Sequence, residues 1–254
     1  MTVLFFLKSY FFNGGKQSNL GNENQQKAED LEKYTGISSA NLLKKINSEE
    51  NFEILDIRDQ DSFLLEHIID SQNITPEDLI KNLGSLDKNK QYYLVDNLGL
   101  TSIEQELMDI FLQSGFQKIG YLEGGIYNWT TELNPVIEFG NPKSLSNQSK
   151  VNYITSDELK KLITEEEKTL LIIDVRSGKD FAAGHLKNAI NIPLDSLESR
   201  RKEVSSYKRM ILYDDTGLLA FQGAVRLFDM AVLNVFALSD GLNSWKQKGF
   251  EVVK

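Results

Sequence analysis

The 254-residue chain contains no cysteine. Disulfides, thiolate zinc sites and thiol nucleophiles are therefore excluded together, although the redox compartment is not fixed by this. Histidine is nearly as scarce, with two in the whole chain. One histidine in each half, with no second ligand of that kind nearby in sequence, makes a poor metal site. A basic excess is missing too: the formal net charge is −9. That balance opposes nucleic acid and anionic lipid unless a local patch overrides it. The basic runs Lys44-Lys45, Lys160-Lys161 and Arg200-Arg201-Lys202 are short and read as solvated helix faces rather than a phosphate track. No cofactor and no nucleic-acid partner are expected.

The apolar N-terminus is also short. Val3 to Leu7 is interrupted by Lys8 and resumes at Tyr10 to Phe12, whereas a bilayer span needs roughly 20 apolar residues. It also lacks the leading charge and small-residue cleavage site of a signal peptide. Residues 3–12 read as a segment packed on the first domain or unstructured, with membrane contact through them as the alternative. A cytoplasmic location is favoured over a membrane-tethered one. Asn13 to Lys33 reads as linker, being Gly, Asn, Gln, Lys and Glu with little to bury.

What is present is an internal repeat. His67 and His185 lie 118 residues apart (185 − 67), and the same offset relates Asp56 to Asp174, Arg58 to Arg176, Asp96 to Asp214 and Gly99 to Gly217. Trp129 and Trp245 follow at nearly that spacing. A fixed period across so many landmarks means one fold used twice. The length suits two domains of roughly 100 to 120 residues, each large enough to bury a core. The chain divides into an apolar N-terminal segment with a flexible linker at 1–36, a first domain at 37–135, a linker at 136–150 and a second domain at 151–254.

Each copy opens with a helix. Thr155 and Glu158 form a capping box, and Ser38 begins the first copy similarly. An apolar run ending in an acid follows, Phe52 to Asp56 and Leu170 to Asp174, suited to a strand buried on both faces. Then come Arg58 or Arg176 and His67 or His185. A second strand ends in Asp96 or Asp214. A short loop carries Gly99 and Thr101, or Asp215 and Gly217, and leads into a helix, with Ser102 and Gln105 as an expected capping box in the first copy. A last strand precedes Gly125 or Gly241 and a closing helix bearing Trp129 or Trp245. Alternating strands and helices give an α/β fold class with a mostly parallel sheet flanked by helices.

The ordered series Asp174-Val175-Arg176, Gly184-His185-Leu186, Ala189 to Pro193 and Asp240-Gly241 before Trp245, with its first-copy counterparts, resembles the rhodanese family. The architecture is similar to the tandem rhodanese-like domains of thiosulfate and mercaptopyruvate sulfurtransferases. The resemblance implies an active loop whose backbone amides cradle an anion, at a helix N-terminus, around a cysteine that carries sulfur as a persulfide. Here that position is Asp96 in one copy and Asp214 in the other, and neither loop holds Arg or Lys. A carboxylate cannot form a persulfide. No catalytic residue is therefore expected among the loop positions Asp96, Gly99, Thr101, Asp214, Asp215 and Gly217. Asp56–Arg58 and Asp174–Arg176 are expected to pair inside each domain. His67 and His185 are expected as hydrogen-bonded turn residues, the tryptophans as core, and Gly125 and Gly241 as tight-turn positions.

Asp96 and Asp214 themselves are expected to accept hydrogen bonds from their own loop amides, in effect as caps. The favoured function is a catalytically inactive binding or scaffold module for an unknown protein or small molecule. The alternatives are a divalent-metal phosphohydrolase using the loop carboxylates, with Asp214 and Asp215 as weak cation candidates, and a membrane-tethered accessory protein. No metal site is expected.

Overall fold

A computed structural model describes residues 34–48, 50–165, 169–204 and 209–254. The apolar segment at 3–12 and the stretch from Asn13 to Lys33 lie outside the described residues. Among the described residues no helix is long and apolar enough to cross a membrane.

The strands are β1 (Thr35–Ile37), β2 (Phe52–Asp56), β3 (Glu66–His67), β4 (Ser71–Asn73), β5 (Gln91–Val95), β6 (Ile119–Leu122), β7 (Ile137–Glu138), β8 (Asn152–Ile154), β9 (Leu170–Asp174), β10 (Ala189–Asn191), β11 (Arg209–Tyr213) and β12 (Val235–Leu238). The helices are α1 (Ser39–Asn47), α2 (Gln60–Leu65), α3 (Pro76–Asn82), α4 (Ser102–Gln113), α5 (Gly125–Thr131), α6 (Leu145–Ser149), α7 (Ser156–Thr164), α8 (Gly178–Ala183), α9 (Arg201–Val204), α10 (Leu218–Asp229) and α11 (Gly241–Gln247).

Each copy builds a five-stranded sheet, in the order β1-β6-β5-β2-β4 and, equivalently, β8-β12-β11-β9-β10. The pairings β2–β4, β2–β5, β5–β6, β9–β10, β9–β11, β11–β12 and β8–β12 are all parallel. Parallel strands require crossovers, and helices supply them, so the central strands are covered on both faces. This is why β5 and β11 read as uninterrupted apolar runs: Tyr92 to Val95 and Met210 to Tyr213 are all buried. One core face of the second copy gathers Ile173, Leu212, Ala224 and Leu227, and the opposite face gathers Ile172, Ile211, Leu238 and Trp245. Trp129 and Trp245 are both buried, and each indole nitrogen donates to a carbonyl in the chain that follows, Pro135 at 2.9 Å and Glu251 at 3.0 Å.

The chain after each closing helix returns to the histidine. Ile137 pairs antiparallel with His67, and Val253 bridges His185 in the same sense. Residues 136–150 between the copies therefore carry β7 and α6. They are fastened by Lys150, which pairs with Glu138 and with Asp229 of α10.

Two expectations change. The capping box of α4 is Thr101 with Glu104, not Ser102 with Gln105. The loop ends one residue earlier, at Leu100 with φ +52°, and Thr101 is extended, so it is the capping residue. Gln105 instead donates from its amide to the Leu100 carbonyl at 3.1 Å. The basic run at 200–202 is not simply a solvated face: Arg201 makes a two-point pair with Asp70 of the first copy at 2.6 and 2.7 Å.

Candidate functional site

The loops after β5 and β11 sit at the carboxyl ends of central parallel strands, where open α/β sheets place their ligand crevices. Each loop turns tightly because glycines let its backbone approach that of the neighbouring turn. A Cβ on Gly241 would lie 2.5–2.6 Å from backbone atoms of Asp215 and Thr216. One on Gly125 would lie 2.6 Å from backbone atoms of Asp96, Asn97 and Leu98. Both glycines have positive φ, +64° at Gly241 and +59° at Gly125. The amides just beyond complete the clamp, Ile126 donating to the Asp96 carbonyl at 2.9 Å and Leu242 to that of Asp214 at 2.7 Å.

Inside this turn the carboxylates point at their own loop amides. Asp214 is buried. Its Oδ1 accepts from the amides of Gly217 at 2.8 Å and Ala220 at 3.2 Å, and its Oδ2 accepts from the Thr216 amide at 3.1 Å and hydroxyl at 3.0 Å. Ala220 lies in the first turn of α10, so the same oxygen faces the positive end of that helix. In the first copy Asp96 Oδ1 accepts from Leu98 at 2.9 Å and Gly99 at 2.6 Å. Each cradle of inward amides is thus occupied by a carboxylate of its own chain.

Two features beside the loops were not legible in the sequence. Glu104 is fully buried at the start of α4. One of its oxygens accepts from the Thr101 amide and the other has no partner among the described residues. Burial, reinforced by the charge of Asp96, pushes its carboxyl up to about 9, so it is uncharged at neutral pH. The matching helix of the second copy starts 116 residues later (218 − 102), which puts Ala220 at this position, so the buried acid belongs to the first copy alone. The expected capping box fell on Ser102 and Gln105, so neither the capping role of Glu104 nor its burial followed from the sequence.

The second feature is a bond that ties the expected Asp174–Arg176 pair to the loop. Arg176 holds Asp174 through Nε and Nη2, donates from Nη2 to the Gly184 carbonyl at 2.8 Å, and reaches Asp215 Oδ1 from Nη1 at 3.0 Å. Arg58 repeats the first set of bonds, with Asp56 at 2.6–3.1 Å and the Glu66 carbonyl at 2.8 Å. Asn97 stands where the second copy has Asp215. The Asp214–Asp215 pair is therefore not an adjacent set of ligands: one carboxylate faces amides and the other faces a guanidinium.

The histidines were expected in turns, but His67 lies in the short strand β3 and His185 makes an isolated bridge to Val253, because the chain after each closing helix returns to pair with them. His67 Nδ1 is 3.0 Å from the Phe63 carbonyl and His185 Nδ1 is 3.1 Å from that of Phe181, each ring stacking on that phenylalanine. They stay apart from the loop carboxylates in the contacts they make. His67 also meets Glu198 of the second copy through Nε2 at 3.0 Å. Among the described residues no group of three or more potential metal-ligating side chains occurs.

Known proteins agree with this architecture. The model of the rhodanese-like domain matches residues 39–132 and again 155–248. The chain is 29% identical over 102 residues to the uncharacterized protein YqhL of Bacillus subtilis, covering 38% of this chain and 81% of that protein. It is 25% identical over 103 residues to a sulfurtransferase of Allochromatium vinosum, covering 41% and 95%. Among solved structures, a thiosulfate sulfurtransferase from Pseudomonas aeruginosa aligns over 86% of this chain at 16% identity and a TM-score of 0.46; the chain spans 43% of that protein. With two family matches that together cover most of its length, the chain belongs to the rhodanese-like domain family, as a tandem member without cysteine.

Proposed function

We propose that this protein is a non-catalytic tandem rhodanese-like module that binds rather than transfers. The observation that carries the reading is the occupancy of the second cradle: the amides of Thr216, Gly217 and Ala220 are all spent on Asp214. A sulfur carrier at this place must be a thiolate that attacks the outer sulfur of a donor such as thiosulfate, expels sulfite and so becomes a persulfide. Asp214 offers a carboxylate instead, and its negative charge opposes a thiosulfate or sulfite anion entering the same amides. With no cysteine anywhere in the chain, no other group supplies the sulfur. A phosphohydrolase reading lacks support, because phosphoryl chemistry calls for a cationic clamp and neither loop holds Lys or Arg.

The test is thiosulfate-to-cyanide sulfur transfer by the full chain. No thiocyanate above the protein-free blank is expected. Turnover that persists after repurification removes the proposal.

A further inference from the structure

The two copies differ at one atom in a way that suggests a ligand. In the second copy the Nη1 edge of Arg176 is closed by Asp215. In the first copy the corresponding edge of Arg58 has no partner among the described residues, because Asn97 replaces the acid. Arg58 is only 6% exposed, and it lines a cleft of about 300 Å³. The rim of that cleft is apolar and open: Leu65, Leu98 and Tyr127 are 66%, 64% and 66% exposed. Exposed apolar side chains around a buried donor are the usual composition of a small-molecule site.

We propose that this cleft binds a small organic carboxylate, with its carboxyl group on Arg58 Nη1 and its apolar body against Leu98 and Tyr127. The second copy supplies the template. There a guanidinium already held by Asp174 takes a second carboxylate at 3.0 Å on its free edge. Arg58 is held by Asp56 in the same way, so it is fixed in place and loses little freedom on binding. Charge-assisted hydrogen bonds of this kind are among the stronger polar contacts. Glu66 is the one acidic residue lining the cleft. Its carbonyl is taken by Arg58 Nη2. The inference deepens the reading of the chain as a binding module by naming a ligand class.

Benzoate is the probe, titrated into the full chain and followed by amide NMR shifts and calorimetry, with benzamide as its uncharged analogue. Saturable shifts at Leu98, Ile126 and Tyr127 are expected. Benzamide should bind roughly tenfold more weakly or worse, the worth of about one charge-assisted hydrogen bond. Asn97→Asp rebuilds the closed edge of the second copy, so it should fold normally and lose benzoate by a similar factor. Tyr127→Ala, at an exposed position, should weaken benzoate and benzamide together. Equal affinity for benzoate and benzamide, undiminished binding by Asn97→Asp, or no shift in this cleft each overturns the proposal. A sulfur-transfer result leaves it untouched, so the two readings fail separately.

Discussion

At the scale of single residues, one acid shows how a chain can hide its chemistry. Glu104 closes the capping box of α4 with one oxygen, and the other, buried, has no partner among the described residues. An unfolded glutamate ionises near 4.5, whereas this one holds its proton up to about 9. Its contribution to stability is therefore complete below pH 4.5 and is lost as the pH rises toward 9, because folding must then retain a proton that the unfolded chain has released. Glu104→Gln keeps the shape and removes the proton. Its stability advantage over the wild type should grow with pH between about 5 and 9, at a slope of up to ~1.4 kcal/mol per pH unit. Urea unfolding at several pH values measures this, and parallel curves for the two proteins would rule it out. Most residue-level landmarks were legible in the sequence. Asp–Arg pairs two positions apart, the two tryptophans and the loop aspartates all follow from repetition at a fixed offset. Burial of Glu104 was not, since a capping glutamate is ordinarily at the surface and only tertiary packing puts this one inside.

At the scale of elements, the local code is consistent with the fold almost everywhere. Apolar runs without alternation became central parallel strands, and Thr155 with Glu158 caps α7 through both hydrogen bonds of the box. The short strands β3 and β7 were not legible, because two residues carry no period and their pairing spans 70 positions. The capping box of α4 lies one residue before its expected place because Thr101 and Ser102 are adjacent and both are good caps. Gly241 shows where an element depends on one backbone position. Its φ is +64° and a side chain there would strike Asp215 and Thr216. Gly241→Ala should cost about 2 kcal/mol or more through strain and clash together, and should loosen the second loop rather than the sheet. Hydrogen exchange at the Gly217 and Leu242 amides, read beside thermal unfolding, tests this; unchanged protection would count against the tight-turn account.

At the scale of the whole molecule, the copies are joined by polar contacts that no local pattern reveals. Glu198 accepts from the Asp70 amide at 2.7 Å and lies 3.0 Å from His67 Nε2, while Arg201 grips the Asp70 carboxylate. Partners more than 120 positions apart in sequence cannot be paired by inspection. His67 and His185 repeat in sequence, yet Glu198 meets the first of them. Glu198→Ala should cost about 1–2 kcal/mol, since it strips the Asp70 amide of its acceptor and removes the contact with the His67 ring in a partly buried place. Arg201→Ala should cost less, about 1 kcal/mol or below, because Asp70 is half exposed and water screens the pair. Chemical denaturation gives both numbers, and the reverse ranking would contradict this reading of the contact.

The most direct test of the central claim, that an intact amide cradle is filled by a carboxylate in place of a nucleophile, is the rate of thiosulfate-to-cyanide sulfur transfer by the wild type and by Asp214→Cys side by side. The variant would carry the sole thiol of the chain, at a place where three amides and a helix N-terminus favour a thiolate. The account predicts no thiocyanate from the wild type and measurable thiocyanate from the variant. Turnover by the wild type, or a folded variant that stays inert, would contradict it.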